Sequence, residues 1–186
     1  FAFYEWVAEN DPDYAVDAKA ALDVLLNREH ADASKRGDDS SATSVANILH
    51  AIEYMQKMND LRKQLGMSEL LVSHFTMAAA QKNMNNASVS KDHSLSTEFQ
   101  GEILVAYPYA VKDVDPFDLW YTNEEVLYKD TIEKLMKNGM SEEEATKEAN
   151  KYQTADANGY GHYWIIKIGG AGYNMMGYAC IEKDLG

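Results

Sequence analysis

The chain has 186 residues, 46% of them hydrophobic and 11% aromatic, which suits one domain of ordinary size with a real core and excludes disorder through most of its length. Its net charge of −13 repels phosphate backbones and anionic membrane surfaces, so nucleic acid is excluded as a general partner. No run approaches the roughly 18 apolar residues of a membrane span, and the single cysteine, Cys180, excludes an intrachain disulfide framework.

In chain order, residues 1–30 read as a helical preface. Asp11-Pro12-Asp13 opens a helix on which Val16, Ala20, Leu22 and Leu26 recur at helical spacing. The chain opens on Phe1 rather than methionine, which fits either a processed form or an excised piece of a longer chain, and any signal peptide would then already be absent. Residues 31–44 are small, polar and charged, which predicts a linker or mobile loop. The expected organisation is therefore an N-terminal extension and linker over 1–44 and the main domain over 45–186.

A clear helix follows, with Ile48, Ile52, Met55, Met58, Leu61 and Leu65 in one stripe and Gly66 as its stop. Ser73 is the expected N-cap of a helix over 74–87, with Phe75, Ala78, Ala79 and Met84 inward and Asn85-Asn86 loosening its end. Asp115-Pro116 starts another helix, because aspartate caps and proline lacks only an N–H that would have no partner there. This helix carries Phe117, Trp120, Leu127, Ile132, Leu135 and Met136, with a possible break, and ends at Gly139. Ser141 and Glu144 predict a capping box for a short further helix. Residues 162–168 (HYWIIKI) are β-branched and aromatic and predict a strand. Gly169–Gly172 is the expected turn, and 173–181 the returning strand. Helices followed by an antiparallel hairpin predict an α+β domain.

Several familiar motifs are missing. There is no zincin helix, no Gly-x-Ser-x-Gly elbow and no phosphate loop. Asp156-Ala157-Asn158-Gly159 lacks the rest of a calcium-loop ligand series. Asn86-Ala87-Ser88 has the form of a glycosylation acceptor, a short pattern that arises by chance. Cys180 reads as a small buried hydrophobe. His30, His50 and His74 sit in or beside helices without a partner motif, whereas His93 and His162 stand at element junctions. Glu124 follows Trp120 by four residues, on the same helix face. Imidazole and carboxylate both ligate zinc, but the spacing of these residues alone is a weak signal.

The order of four short motifs carries a resemblance. His93-Ser94 is followed by Gly101-Glu102-Ile103-Leu104, then by Trp120-Tyr121-Thr122-Asn123-Glu124, then by Gly161-His162-Tyr163. Upstream stand Asn59-Asp60-Leu61-Arg62 and Leu70-Leu71-Val72-Ser73; downstream stands Gly177-Tyr178-Ala179. Over about residues 45–181 the series resembles the CAP superfamily of cysteine-rich secretory, antigen 5 and pathogenesis-related proteins, also called SCP domains. The Trp-Tyr-x-x-Glu form is similar to surface proteins of Gram-positive bacteria, which lack the eukaryotic disulfides. Ile103 stands where the family usually has asparagine, and Trp164-Ile165-Ile166 replaces its frequent Thr-Gln-Val. The family's last strand is not evident before Gly186, so one sheet edge is expected to be missing or supplied from elsewhere.

The resemblance implies a CAP-like α-β-α sandwich with helices packed on a small antiparallel sheet. It also implies a cleft lined by His93, Glu102, Glu124 and His162, with Glu125 the alternative to Glu124. The implied setting is extracellular or at the bacterial cell surface. A divalent metal, zinc foremost, would be held by His93 and His162, with the carboxylates orienting the rings. The implied role is binding of an extracellular glycan, peptide or lipid. The alternative is a metal-dependent hydrolase or peptidase using the same cleft. A third reading is a structural or adhesive module whose cleft is vestigial, to which Tyr107, Tyr109, Phe117 and Tyr121 would contribute if they are not core.

Overall fold

Helix ends obey the local chemistry of the chain. In a computed structural model of the protein, which describes residues 1–28, 31–90, 115–151 and 159–181, most of the described residues are helical. They fall into two compact units, one built from residues up to 90 together with 173–181, the other from 115–151 and 159–172.

The first unit is organised around one helix. Its elements are α1 (Ala2–Asn10), α2 (Ala15–Leu26), α3 (Val45–Gln64), β1 (Leu71–Val72), α4 (His74–Ser90) and β2 (Met175–Met176), with a 3-10 turn at Ala31–Ser34. Helix α2 lies along α4, and the contact is made by small side chains: Ala18 and Ala21 on α2, Ala78 and Ala79 on α4, all fully buried. Alanines let the two backbones approach closely, and Val24, Leu25 and Tyr4 fill the space around them. Burying Val24 and Leu25 contributes about 2 kcal/mol each. The expected inward set on α2 is displaced by this contact: Val16 is 81% exposed and Leu26 faces solvent.

Helix α3 shows the same effect. Asn47, Ala51, Met55 and Arg62 face inward, while Leu49 and Ile52 are exposed. Asn47 and Arg62 turn in because their donors are spent on backbone carbonyls, Asn47 on Ser41 and Arg62 on Ser68 and Tyr173. Gly66 stops α3 as expected: at φ +71° it lets the Gly66 and Met67 amides reach back to the carbonyls of Lys63 and Arg62, the Schellman closure.

The start of α4 is fully capped. The Ser73 hydroxyl accepts from the Thr76 amide, and the Thr76 hydroxyl accepts from the Ser73 amide. The remaining two amides, of His74 and Phe75, donate to the Asp17 carboxylate at 2.6 and 3.3 Å. At its other end α4 runs through Asn85-Asn86 to Ser90 rather than loosening. The reason is that the buried Asn85 amide is engaged outside its own helix. Its oxygen accepts from the Ala42 amide and its nitrogen donates to the Ser41 hydroxyl. Ser41 and Ala42, within the segment read as a linker, are buried by these contacts.

The expected antiparallel hairpin is corrected. Residues 161–168 are helical, and the returning strand shrinks to Met175–Met176, paired in parallel with Leu71–Val72. Its register is held from below. The Thr76 hydroxyl donates to the Met176 carbonyl, Gly177 lies against the Thr76 backbone, and Tyr178 stacks on Tyr54 at 5.0 Å. No antiparallel pair occurs among the described residues.

The second unit contains a π-helical segment (Asp118–Asn123), α5 (Glu124–Lys137), α6 (Glu142–Ala149), the single turn α7 (Gly161–Tyr163), a second π-helical segment (Trp164–Ile168) and a 3-10 turn (Gly169–Gly172). Asp115 caps the first helical turn by accepting from the Phe117 amide, and Gly139 closes α5 at φ +97°. Ser141 and Glu144 form the expected capping box. Tyr128, Tyr160 and Tyr163 build the core, with the Tyr160 and Tyr163 ring centroids each 5.2 Å from that of Tyr128. This explains why HYWIIKI is helical. Tyr160 and Tyr163 pack on Tyr128 of α5, with Ile168 beside them, and β propensity yields to that packing.

Candidate functional site

The second unit brings Glu124 and His162 together across 38 residues of sequence. Each is placed by a helix start. Glu124 is the first residue of α5, immediately after the π-helical segment that carries Trp120, and His162 is the second residue of α7. One Glu124 oxygen lies 2.5 Å from His162 Nδ1; the other accepts from the Tyr163 amide at 3.0 Å. The carboxylate therefore acts on the ring and on the backbone beside it, satisfying one of the open amides of α7.

The pair is mostly shielded, with 13% of the Glu124 side chain and 17% of the His162 side chain exposed. Trp120, itself buried, sits 6.4 Å from the imidazole, and Phe117 packs edge-on against it at 5.9 Å. A carboxylate at Nδ1 favours the tautomer with its proton there, which leaves the Nε2 lone pair for a ligand. This arrangement orients an imidazole for a metal or for a hydrogen-bond donor. Each Glu124 oxygen has one partner, which fixes the carboxylate behind the ring.

The neighbouring Glu125 points elsewhere. Its carboxylate pairs with Lys129 at 3.1 Å and lies 3.9 Å from Lys167. The Lys167 ammonium stands over the Tyr163 ring at 5.6 Å. Burial pushes the Tyr163 phenol up to about 12, with the Glu125 charge adding to the effect, and raises Tyr121 and Tyr128 as well.

His93 and Glu102 lie outside the described residues, as do His30, Ile103, Tyr107, Tyr109 and Asp156-Ala157-Asn158. Among the described residues no group of three or more His, Cys, Asp or Glu side chains is placed to hold a metal. Glu124 and His162 are thus the two members of the expected set whose geometry is on view. Phe117 and Tyr121 pack in the second unit, on Trp120 and Tyr163 respectively. Asn86-Ala87-Ser88 falls inside α4, where the Ser88 hydroxyl donates to the Asn85 carbonyl. Cys180 is half-buried, its thiol directed at the Asn47 carbonyl.

Two arrangements carried no sequence signal. One is Asp17 on the start of α4, 57 residues away from His74. The other is the ring cluster around His74, which touches Phe3, Tyr4 and Tyr14 edge-on at 5.4–6.0 Å.

No family model matches the chain, and neither a curated protein nor a solved structure matches it.

Proposed function

We propose that the chain carries an extracellular bacterial domain of CAP type, a binding module rather than a hydrolase. In this reading a divalent metal, zinc foremost, is held by His162 and His93, with Glu124 and Glu102 orienting the two rings. The observation that supports it is the contact of Glu124 with His162 Nδ1. The carboxylate–imidazole pair with Nε2 left over suits the donor set of a zinc site. The metal would supply a Lewis-acidic anchor for a glycan, peptide or lipid headgroup. Glu124, fixed by one partner on each oxygen, suits the orienting role assigned to it in this reading. The motif order from His93-Ser94 to Gly161-His162-Tyr163 supports the family assignment. The family's α-β-α sandwich is a further expectation of this proposal, tested by infrared spectroscopy for antiparallel sheet.

The deciding experiment is zinc titration of the full chain by calorimetry at neutral pH. One equivalent should bind, and both His162→Ala and His93→Ala should abolish it. Absence of uptake, or uptake unchanged by both substitutions, overturns the proposal.

A further inference from the structure

Residues 1–17 combine exposed aromatic rings with one sign of charge. Phe3, Trp6 and Tyr14 are 59%, 60% and 58% exposed, although each is large enough to be core. Phe3 and Tyr14 both lean on the His74 ring, at 5.4 and 6.0 Å, so they belong to one surface. Trp6 follows Phe3 by three residues on α1 and shares its face. The contacts with His74 hold Phe3 and Tyr14 in place, so little side-chain freedom remains to be lost on binding.

The side-chain charge of this segment is wholly acidic: five carboxylates, Glu5, Glu9, Asp11, Asp13 and Asp17, and no Lys or Arg. Two of them are occupied within the unit, Glu5 by Arg36 and Asp17 by the start of α4. Glu9 and Asp13 are exposed; Glu9 follows Trp6 by three residues on α1, and Asp13 immediately precedes Tyr14. A second copy of the chain would bring two surfaces of net charge −13 together, and an anionic membrane would be repelled in the same way. Rings flanked by carboxylates suit a cation, whose charge is attracted to the ring face as well as to the acids.

We propose that the Phe3–Trp6–Tyr14–His74 surface docks a basic segment of a partner protein, with Lys or Arg side chains seated on the rings between Glu9 and Asp13. This surface lies in the first unit and owes nothing to the Glu124–His162 pair.

The test uses the full chain and a blocked deca-lysine peptide, followed by calorimetry and by tryptophan fluorescence at low and moderate salt. Trp6→Ala should weaken binding roughly fivefold, as expected for loss of an exposed cation–π contact. Glu9→Lys with Asp13→Lys should weaken it roughly tenfold or more. Glu142→Lys with Glu143→Lys on α6 makes the same change in net charge and should leave affinity within about twofold if the contact is local. All of these positions are exposed, and circular dichroism checks that each variant folds. No binding at low salt, or equal weakening by the α1 and α6 charge reversals, overturns the proposal. So does affinity unaffected by Trp6→Ala, or self-association that buries Trp6.

Discussion

Glu124 grips His162 and the chain just beyond it at once, one oxygen on the imidazole and the other on the Tyr163 amide. The adjacent Glu125 serves Lys129 and Lys167 instead. In the proposed zinc site, Glu124→Gln is therefore expected to lower zinc affinity about 10- to 100-fold, the usual cost of losing a carboxylate behind a ligating histidine. Glu125→Gln should leave affinity unchanged. Calorimetric titration of both variants separates them, and equal losses would show that the pair has no special role.

Asp17 caps a helix that belongs to a distant part of the sequence, so its loss should be felt as global stability. Asp17→Ala is expected to cost about 1–2 kcal/mol in urea unfolding. Asp17→Asn, which keeps one acceptor oxygen but not the charge facing the helix start, should cost less. A midpoint unmoved by Asp17→Ala would mean that water replaces the cap without penalty.

Asn85 joins α4 to the 41–42 turn by two buried hydrogen bonds. Asn85→Ala strands the Ala42 amide away from water and is expected to cost about 2 kcal/mol. Hydrogen exchange at Ala42 should accelerate in the variant, and unchanged protection there would contradict the assignment.

Two glycines give a paired test of backbone contact. A Cβ on Gly177 would lie 2.0 Å from the Thr76 carbonyl oxygen, whereas one on Gly172 meets nothing within 4 Å. Gly177→Ala should destabilise by about 2 kcal/mol or more, because the obstacle is backbone and cannot swing aside. Gly172→Ala should fall within about 0.5 kcal/mol of the parent chain. Thermal melts of the two variants, measured side by side, decide the matter.

Tyr163 makes a prediction in alkali. Burial raises its phenol from 10.0 to about 12 in the folded protein, so the folded state holds its proton where the unfolded state has lost it. Its contribution is fully present below the unfolded value and is lost as pH rises through the folded one. Tyr163→Phe removes this titration, and the alkaline unfolding midpoint should move to higher pH. A midpoint that stays put would place the alkaline sensitivity at other groups, Tyr4 among them, whose phenol is also raised by burial.

How far the sequence could be read depended on the range of the interaction. Stops and starts were legible because they are written within four residues: Asp115 before Pro116, Ser141 with Glu144, and the glycines at 66 and 139. The orientation of α2 and α3 was not. Periodicity marks where apolar residues recur, but Ala18 and Ala21 took the buried side because alanine lets α4 approach closely. Asn47 and Arg62 were drawn inward by carbonyls that no local pattern reveals. Residues 162–168 carried strand-forming side chains, but Tyr163 found Tyr128 of α5 rather than a neighbouring strand to pack on, a contact no local pattern reveals. The motif order drew attention to Glu124 and His162, which the structure places in contact, while His93 and Glu102 fall outside the described residues.

The parallel pairing of Leu71–Val72 with Met175–Met176 has a consequence for biosynthesis. On the order of a hundred residues must leave the ribosome between the two segments, which at typical elongation rates takes roughly 5–20 seconds. Throughout that interval Met77 and the Thr76 backbone lack the cover that Met176 and Gly177 later give them. A nascent chain at that stage would be a client for chaperones, and premature termination ahead of residue 173 should yield an aggregating product rather than a smaller soluble one.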